Sequence, residues 1–320
     1  MAGIYLHVPF CKSFCNYCSF YSTLNLGKVG EYVVSLLKEI DQKKRFFKDV
    51  NSKIETLYFG GGTPSVLDST SFVKILEKLK ITFDIDVNTL KEFTIEVNPE
   101  DCSIENLSFW KSCGVNRLSI GIQSFDDNHL KWMNRRHNSE RALNAFADAR
   151  RIGFDNISLD LIFGFRGLTK EQWSYNLETI IKLSPEHIST YQMSVEHNSK
   201  LGREYKNGKY VPKGDKVCQS EYNKLRTTLA KAGYVQYEVS NFSKKGFEAI
   251  HNTSYWNMKH YLGLGPSAHS YDGKYRYWNA KGNWLGKEKK EKITPKIAFN
   301  ENIMLSLRQS KGLNLKGSAK

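Results

Sequence analysis

The chain has 320 residues, 40% of them hydrophobic and 25% charged, values of a globular protein long enough for one barrel-sized core or a large domain beside a small one. Lys and Arg outnumber Asp and Glu 47 to 33, a net charge of +14, which favours anionic partners such as nucleic acid, acidic lipid or a poly-carboxylate small molecule. No run of ~18 apolar residues occurs and the start lacks a basic n-region, so neither a membrane span nor a signal peptide is expected. Six cysteines, three of them clustered, fit a reducing compartment and hence the cytoplasm, not a disulfide framework.

The first strand is expected over Ile4 to Val8, and the segment YLHVPFCKSFCNYCSF that contains it places Cys11, Cys15 and Cys18 in a C-x3-C-x2-C array. Soft thiolates at that spacing select zinc, Cu(I) or an iron–sulfur cluster over hard cations. Zinc would want a fourth protein ligand, for which His7 is the candidate. A [4Fe-4S] cluster held by three cysteines leaves one iron open to an outside ligand. Chance burial of three free thiols is the plain alternative.

From there helix and strand patterns alternate. A helix over Glu31 to Lys48 precedes the strand-like TLYFGGGTP. Further helices are expected over 71–80, 104–112, 139–152 and 170–183, and strands over 92–97, 117–122, 157–163 and 187–194. Six strands separated by helices specify a parallel sheet with right-handed crossovers, doubly wound or barrel-like. Ligand-binding residues collect beyond the carboxyl ends of such strands. The cysteines follow strand one, Gly60, Gly61 and Gly62 follow strand two, Glu96 closes strand three, Gln123 ends strand four and Asp160 lies in strand five. One mouth is therefore expected to gather them.

Beyond Ser194 the pattern changes. A helix over Asp215 to Ala232 leads into an aromatic-rich stretch, to about Trp284, expected to form short strands and loops covering the barrel. The lysine- and glutamate-rich tract Lys281 to Lys296 is expected to be a solvated loop, and a last helix to begin at Lys296. The expected divisions are 1–195, 196–295 and 296–320. Cys102, Cys113 and Cys218 lack partner spacing and are expected to be buried thiols.

The cysteine array, with Tyr17 just before its last thiol, resembles the radical S-adenosylmethionine (SAM) superfamily. That resemblance implies a [4Fe-4S] cluster whose open iron is chelated by the amino and carboxylate groups of SAM, and an electron that releases a 5'-deoxyadenosyl radical. It also sharpens the expected fold: an α/β partial (β/α)6 barrel with a C-terminal α+β extension and a truncated final helical domain. The stretches IYLHVPFC, YFGGGTPS, TIEVNPE, RLSIGIQSF, ISLDLIFG and GLGPSAHS extend the resemblance, over nearly the whole length, to the oxygen-independent coproporphyrinogen III oxidase family. By that resemblance Tyr5, Tyr17, Gly61, Glu96, Gln123, Arg135 and Asp160 line the SAM site, with Gly62 and Thr63 close to the substrate side. Carboxylates suit ribose hydroxyls and the sulfonium charge, and Arg135 suits the SAM carboxylate.

Two departures matter. The oxidases carry a further cysteine two residues after the last cluster cysteine, where this chain has Phe20, and they carry an N-terminal arm before the motif. Both differences match the heme-chaperone branch of the family. The box His251-Asn252-Thr253-Ser254-Tyr255-Trp256 resembles a signature linked to heme binding in that branch, so His251, Tyr255 and Trp256 are expected to contact heme, with His251 a candidate axial ligand. A packed loop in which His251 only hydrogen-bonds is the alternative. The function implied is that of a chaperone which binds heme, the cluster and SAM and passes heme to an unidentified acceptor protein, membrane-associated or not. The rival is the oxidase itself, which converts coproporphyrinogen III propionates to vinyl groups. Radical modification of RNA rests on the charge alone, and no nucleic-acid partner is expected.

Overall fold

The computed structural model describes residues 2–282 and 288–314. Strand alternation sets its architecture. In β1 (Ala2–Val8) Ile4, Leu6 and Val8 are fully buried on one face, while Gly3, Tyr5 and His7 take the other. The same division runs through β2 (Ile54–Gly61), β3 (Glu92–Val97), β4 (Arg117–Gln123), β5 (Ile157–Phe163) and β6 (His187–Gln192). Leu57, Phe93, Leu118, Leu159 and Ile188 belong to the apolar set. Tyr58, Glu96, Ser119, Asp160 and Ser189 belong to the polar set, brought together by registers such as Tyr5 against Tyr58, Glu96 against Ser119 and Asp160 against Ser189.

These six strands pair in parallel in chain order. Parallel strands covered on both faces are normally apolar throughout. A polar second face is stable here because the open sheet curls round it and makes it the lining of a lumen, as in a partial barrel.

The apolar face packs under helices. They are α1 (Val29–Gln42), α2 (Phe46–Asp49), α3 (Ser69–Phe83), α4 (Ile104–Ser112), α5 (Asp127–Trp132), α6 (Ser139–Arg151) and α7 (Lys170–Leu183). Asp68, Ser103 and Asn138 cap α3, α4 and α6 by accepting a backbone N–H with their side chains, and Thr169 forms a capping box with Gln172 at α7. The expected single helix to Lys48 breaks after Gln42. The short α2 then turns Phe47 into the core, edge-on to Phe83 at 5.7 Å.

The C-terminal part departs from expectation. After α8 (Lys200–Lys206) and α9 (Asp215–Lys231), the strands β7 (Val235–Glu238) and β8 (Asn241–Ser243) extend the sheet antiparallel beyond β6. Past α10 (Ile250–Trp256), β9 (His260–Leu264) pairs in parallel with β1. Then β10 (His269–Tyr271), β11 (Tyr275–Trp278) and β12 (Lys289–Lys292) follow antiparallel. The short strands of the extension thus lengthen both edges of one sheet, twelve strands among the described residues, while its helix α10 packs against the polar face of β1 and β2. Backbone groups at the two edges of the open sheet need partners, and these strands supply them. The lysine-rich tract is likewise not all loop: β12 is an outer strand with all four side chains exposed, and its charges blunt the edge. The rest of the tract at 283–287 lies outside the described residues. The final α11 (Pro295–Leu307) is capped by Thr294. Among the described residues no helix is long and apolar enough to cross a membrane.

Candidate cofactor cleft

The carboxyl ends of β1 to β6 open on a cleft of about 920 Å³. A smaller cavity of about 450 Å³ lies where β2 begins, lined by Lys53, Ile54 and Asp86 among others, and holds none of the residues expected from sequence. The loop after β1 forms one wall of the large cleft. It is tied down at several points: Cys11 N–H donates to Thr23 O at 3.0 Å, Asn16 N–H to Met133 O at 3.1 Å, and Leu201 N–H to Asn16 O at 2.8 Å. Asn134 Nδ2 donates to Phe14 O at 2.7 Å.

That loop presents Cys11, Cys15 and Cys18 to the cleft, each partly exposed. Two sulfurs already receive donors: Arg135 Nη1 points at Cys15 Sγ from 3.4 Å and Thr63 Oγ1 at Cys11 Sγ from 3.5 Å. Burial raises the Cys11 thiol and pushes that of Cys18 up to about 11, so a metal's positive charge is what would make these thiolates stable. His7 has no nitrogen to offer zinc, because Nδ1 meets the Tyr5 hydroxyl at 3.2 Å and Nε2 meets Tyr21 O at 2.8 Å. Among the described residues, no three His, Cys, Asp or Glu side chains are gathered for a single metal ion. Three thiols on one loop at the cleft wall, two of them already receiving donors, are a ligand set that suits an iron–sulfur cluster.

Across the cleft, Glu96 is held by both oxygens: Tyr58 OH donates to Oε1 at 2.7 Å and Gly61 N–H to Oε2 at 3.1 Å. Gly61 needs to be glycine, with φ of +110° and the His7 ring 2.7 Å from where a Cβ would stand. Ser119 Oγ reaches Asp160 Oδ1 at 3.5 Å. Burial first, and then the charge of Glu96, push the Asp160 carboxyl up to about 7, and burial raises Glu96 as well. Two carboxylates enclosed together leave a site short of positive charge, which an ammonium or sulfonium ligand would supply. Gln123, at φ +70° beside a register shift in β4, sits in the left-handed region that a glutamine rarely adopts. Arg135 Nη2 donates to Asn98 Oδ1 at 2.6 Å and Gly121 O at 2.7 Å, which locks the guanidinium between β4 and the cysteine loop.

Of the sequence-expected residues, the three cysteines, Tyr17, Gly61, Gly62, Thr63, Glu96, Gln123, Arg135 and Asp160 line this one cleft. Tyr5 does not; its ring lies beneath, 5.9 Å from that of Tyr58. His251, Tyr255 and Trp256 are not in the cleft either. Their expected contact with heme is therefore not brought to this cleft, and of the three only the imidazole is wholly enclosed with both nitrogens partnered. His251 is 1% exposed, with Nδ1 on Thr56 Oγ1 at 2.8 Å and Nε2 on the Tyr255 hydroxyl at 2.7 Å. Tyr255 packs edge-on to Tyr261 at 4.6 Å, and the Trp256 ring lies under Arg308 at 4.6 Å.

Residues 5–180 match the radical SAM superfamily. The heme chaperone HemW of Bacillus subtilis is 32% identical over an alignment of 329 positions, which covers 99% of this chain and 86% of that protein. HemW of Lactococcus lactis is 33% identical over 319 residues, 97% and 82% of the two chains. This chain belongs to the HemW family of radical SAM proteins. Its fold is that of the Escherichia coli coproporphyrinogen III oxidase HemN, with a TM-score of 0.83 at 23% identity over 96% of this chain and 75% of that one.

The radical SAM family implies SAM and a [4Fe-4S] cluster, and the cleft of this HemW family member has the thiols and carboxylates for both. Sequence reasoning missed several parts of it. Tyr58, the donor to Glu96, sits in a strand where tyrosine reads as packing. Asn98, which orients Arg135, was inside the quoted TIEVNPE but had no role. Lys200 and Arg203 add positive charge to the rim from α8, in a region that carried no motif. The thiols of Cys102 and Cys218 are buried as expected, whereas Cys113 is only partly so.

Proposed function

We propose that the protein is a cytoplasmic heme chaperone that holds a [4Fe-4S] cluster on Cys11, Cys15 and Cys18, binds SAM beside it, and passes heme to an acceptor protein. The observation that carries this reading is position 20. Where the related oxidases have a thiol next to the reacting ligand, this chain puts the Phe20 ring on the cleft rim, 73% exposed. A phenyl ring offers a flat apolar surface to a macrocycle and no chemistry. Lys12, Arg136, Lys200 and Arg203 around the same cleft suit anionic propionates. That the bacterial relatives are named heme chaperones supports the same reading.

In this reading Glu96 and Asp160 balance the positive charges of SAM, Gln123 turns its amide into the cleft, and Arg135 steadies the cysteine loop. When bound, the cluster supplies the electron for reductive cleavage of SAM. The test is anaerobic titration of the reconstituted protein with heme, alongside an assay for coproporphyrinogen consumption. A stoichiometric Soret band without turnover is expected; conversion to protoporphyrinogen would replace the chaperone by the oxidase.

A further inference from the structure

Below Glu96 the concave face carries a stack of rings. The ring of Tyr58, whose hydroxyl holds Glu96, is stacked on His251 with centroids 5.0 Å apart and planes at 28°. The imidazole is pinned at both ends, by Thr56 of β2 and Tyr255 of α10. The helix that carries it is tied to β3, since Glu92 accepts the Ile250 N–H at 2.6 Å and the His251 N–H at 3.3 Å. Glu92 and Glu96 lie on the same strand, four residues apart. Even the approach of β1 is cut to fit: at Gly3 a Cβ would stand 2.5 Å from Thr56 Oγ1 and 2.9 Å from His251 Nδ1.

A phenylalanine would stack on Tyr58 as well as a histidine does. What the imidazole adds is two polar attachments that stop the ring from rotating. Burial pulls its pKa down to about 3, so it is neutral, with one nitrogen donating and the other accepting, and both neighbours are hydroxyls able to take either part.

We infer that the HN-x2-YW box is the floor of the SAM site: His251, fixed by Thr56 and Tyr255, is a positioning residue that sets the Tyr58 ring and through it the Glu96 carboxylate. The inference rests on the reading that Glu96 meets SAM. Positioning through a second layer of hydrogen bonds typically tunes ligand affinity without touching the ligand.

The experiment is a double-mutant cycle on reconstituted protein, with SAM affinity and heme titration measured on each variant. Tyr58→Phe should weaken SAM about tenfold, the worth of one hydrogen bond to a charged group. His251→Phe should weaken it roughly three- to fivefold, and the double variant should be no worse than Tyr58→Phe alone, because the histidine acts only through that hydroxyl. His251→Gln, which keeps a donor and an acceptor, should restore most of the affinity, which a mere loss of packing would not allow. Heme stoichiometry and the Soret band should be unchanged throughout. Additive losses, an unaltered SAM affinity in His251→Phe, or a lost Soret band with SAM affinity intact would each overturn the inference. Should His251→Phe fail to fold, Tyr255→Phe removes a single hydroxyl and should shift SAM affinity in the same direction. A wild-type protein that does not bind SAM would remove the reading of Glu96 itself, and the inference with it.

Discussion

Replacing Asp160 by Asn should stabilise the cofactor-free protein while weakening its hold on SAM. The carboxyl is pushed from its ordinary 3.8 up to about 7, by burial and by the neighbouring Glu96. Each unit of such a shift corresponds to ~1.4 kcal/mol, so about three units set a ceiling of ~4 kcal/mol against the folded state above neutral pH. Asp160 faces a solvent-filled cleft, and water there should reduce the figure to about 2 kcal/mol. The sign follows from proton counting. Between about pH 4 and about pH 7 the folded state keeps a proton that the unfolded chain has released. Stability of the cofactor-free wild type therefore falls as pH rises through that window and levels off above it. Asn carries no such penalty. Urea unfolding across that range should show Asp160→Asn more stable than wild type by about 2 kcal/mol near pH 8, with the two converging near pH 4. SAM affinity should fall about tenfold in the variant, and in the wild type it should rise from about pH 6 to about pH 8 as the carboxylate forms. A variant no more stable than wild type near pH 8, or a wild-type SAM affinity indifferent to pH, would refute this reasoning.

Three further substitutions probe the rest of the cleft. Cys15→Ala should abolish the brown absorbance of the reconstituted cluster and leave the barrel folded by circular dichroism; full iron retention would show that the ligand set is wrong. Gly62→Ala should lower the melting temperature and cluster occupancy together, with a cost of roughly 2 kcal/mol. The reason is that its Cβ would stand 2.7 Å from Phe10 O and 2.9 Å from Val8 O, rigid backbone that the Gly62 N–H already bonds at 2.8 Å; an unchanged melting curve would contradict it. Phe20→Ala should weaken heme retention, read from the Soret band during transfer to apomyoglobin, while SAM affinity stays at the wild-type value; equal retention would take Phe20 out of the heme path.

Much of the barrel was legible because its strands obey one rule. Strands β3 and β5 and helices α4 and α7 fall where the pattern puts them, since an apolar residue at every second position can bury only one face of a strand. Long, capped helices then fill the intervals. The edges were illegible for the opposite reason. β8 and β10 have three residues each, too few for a period, and they owe their existence to the unpaired edges of β6 and β9. The pattern around Tyr237 and Phe242 carries no statement of which edge will be taken.

The cleft divides along the same line. Cysteine spacing and the triple glycine announce themselves because covalent chemistry or backbone approach admits no substitute. Glu96 and Asp160 could be placed only through their positions at strand ends. The histidine box shows where residue type leaves two readings open: His, Tyr and Trp are what a heme pocket needs, and also what a closely packed polar floor needs. The two uses differ in whether the imidazole nitrogens find partners within the chain. Here Thr56 supplies one and Tyr255 the other, from 195 residues upstream and one helical turn downstream of His251 respectively. The near partner is visible at i, i+4 spacing in the sequence. The far one exists only because β2 passes beneath α10, and without Thr56 in view the same six letters read as a ligand set.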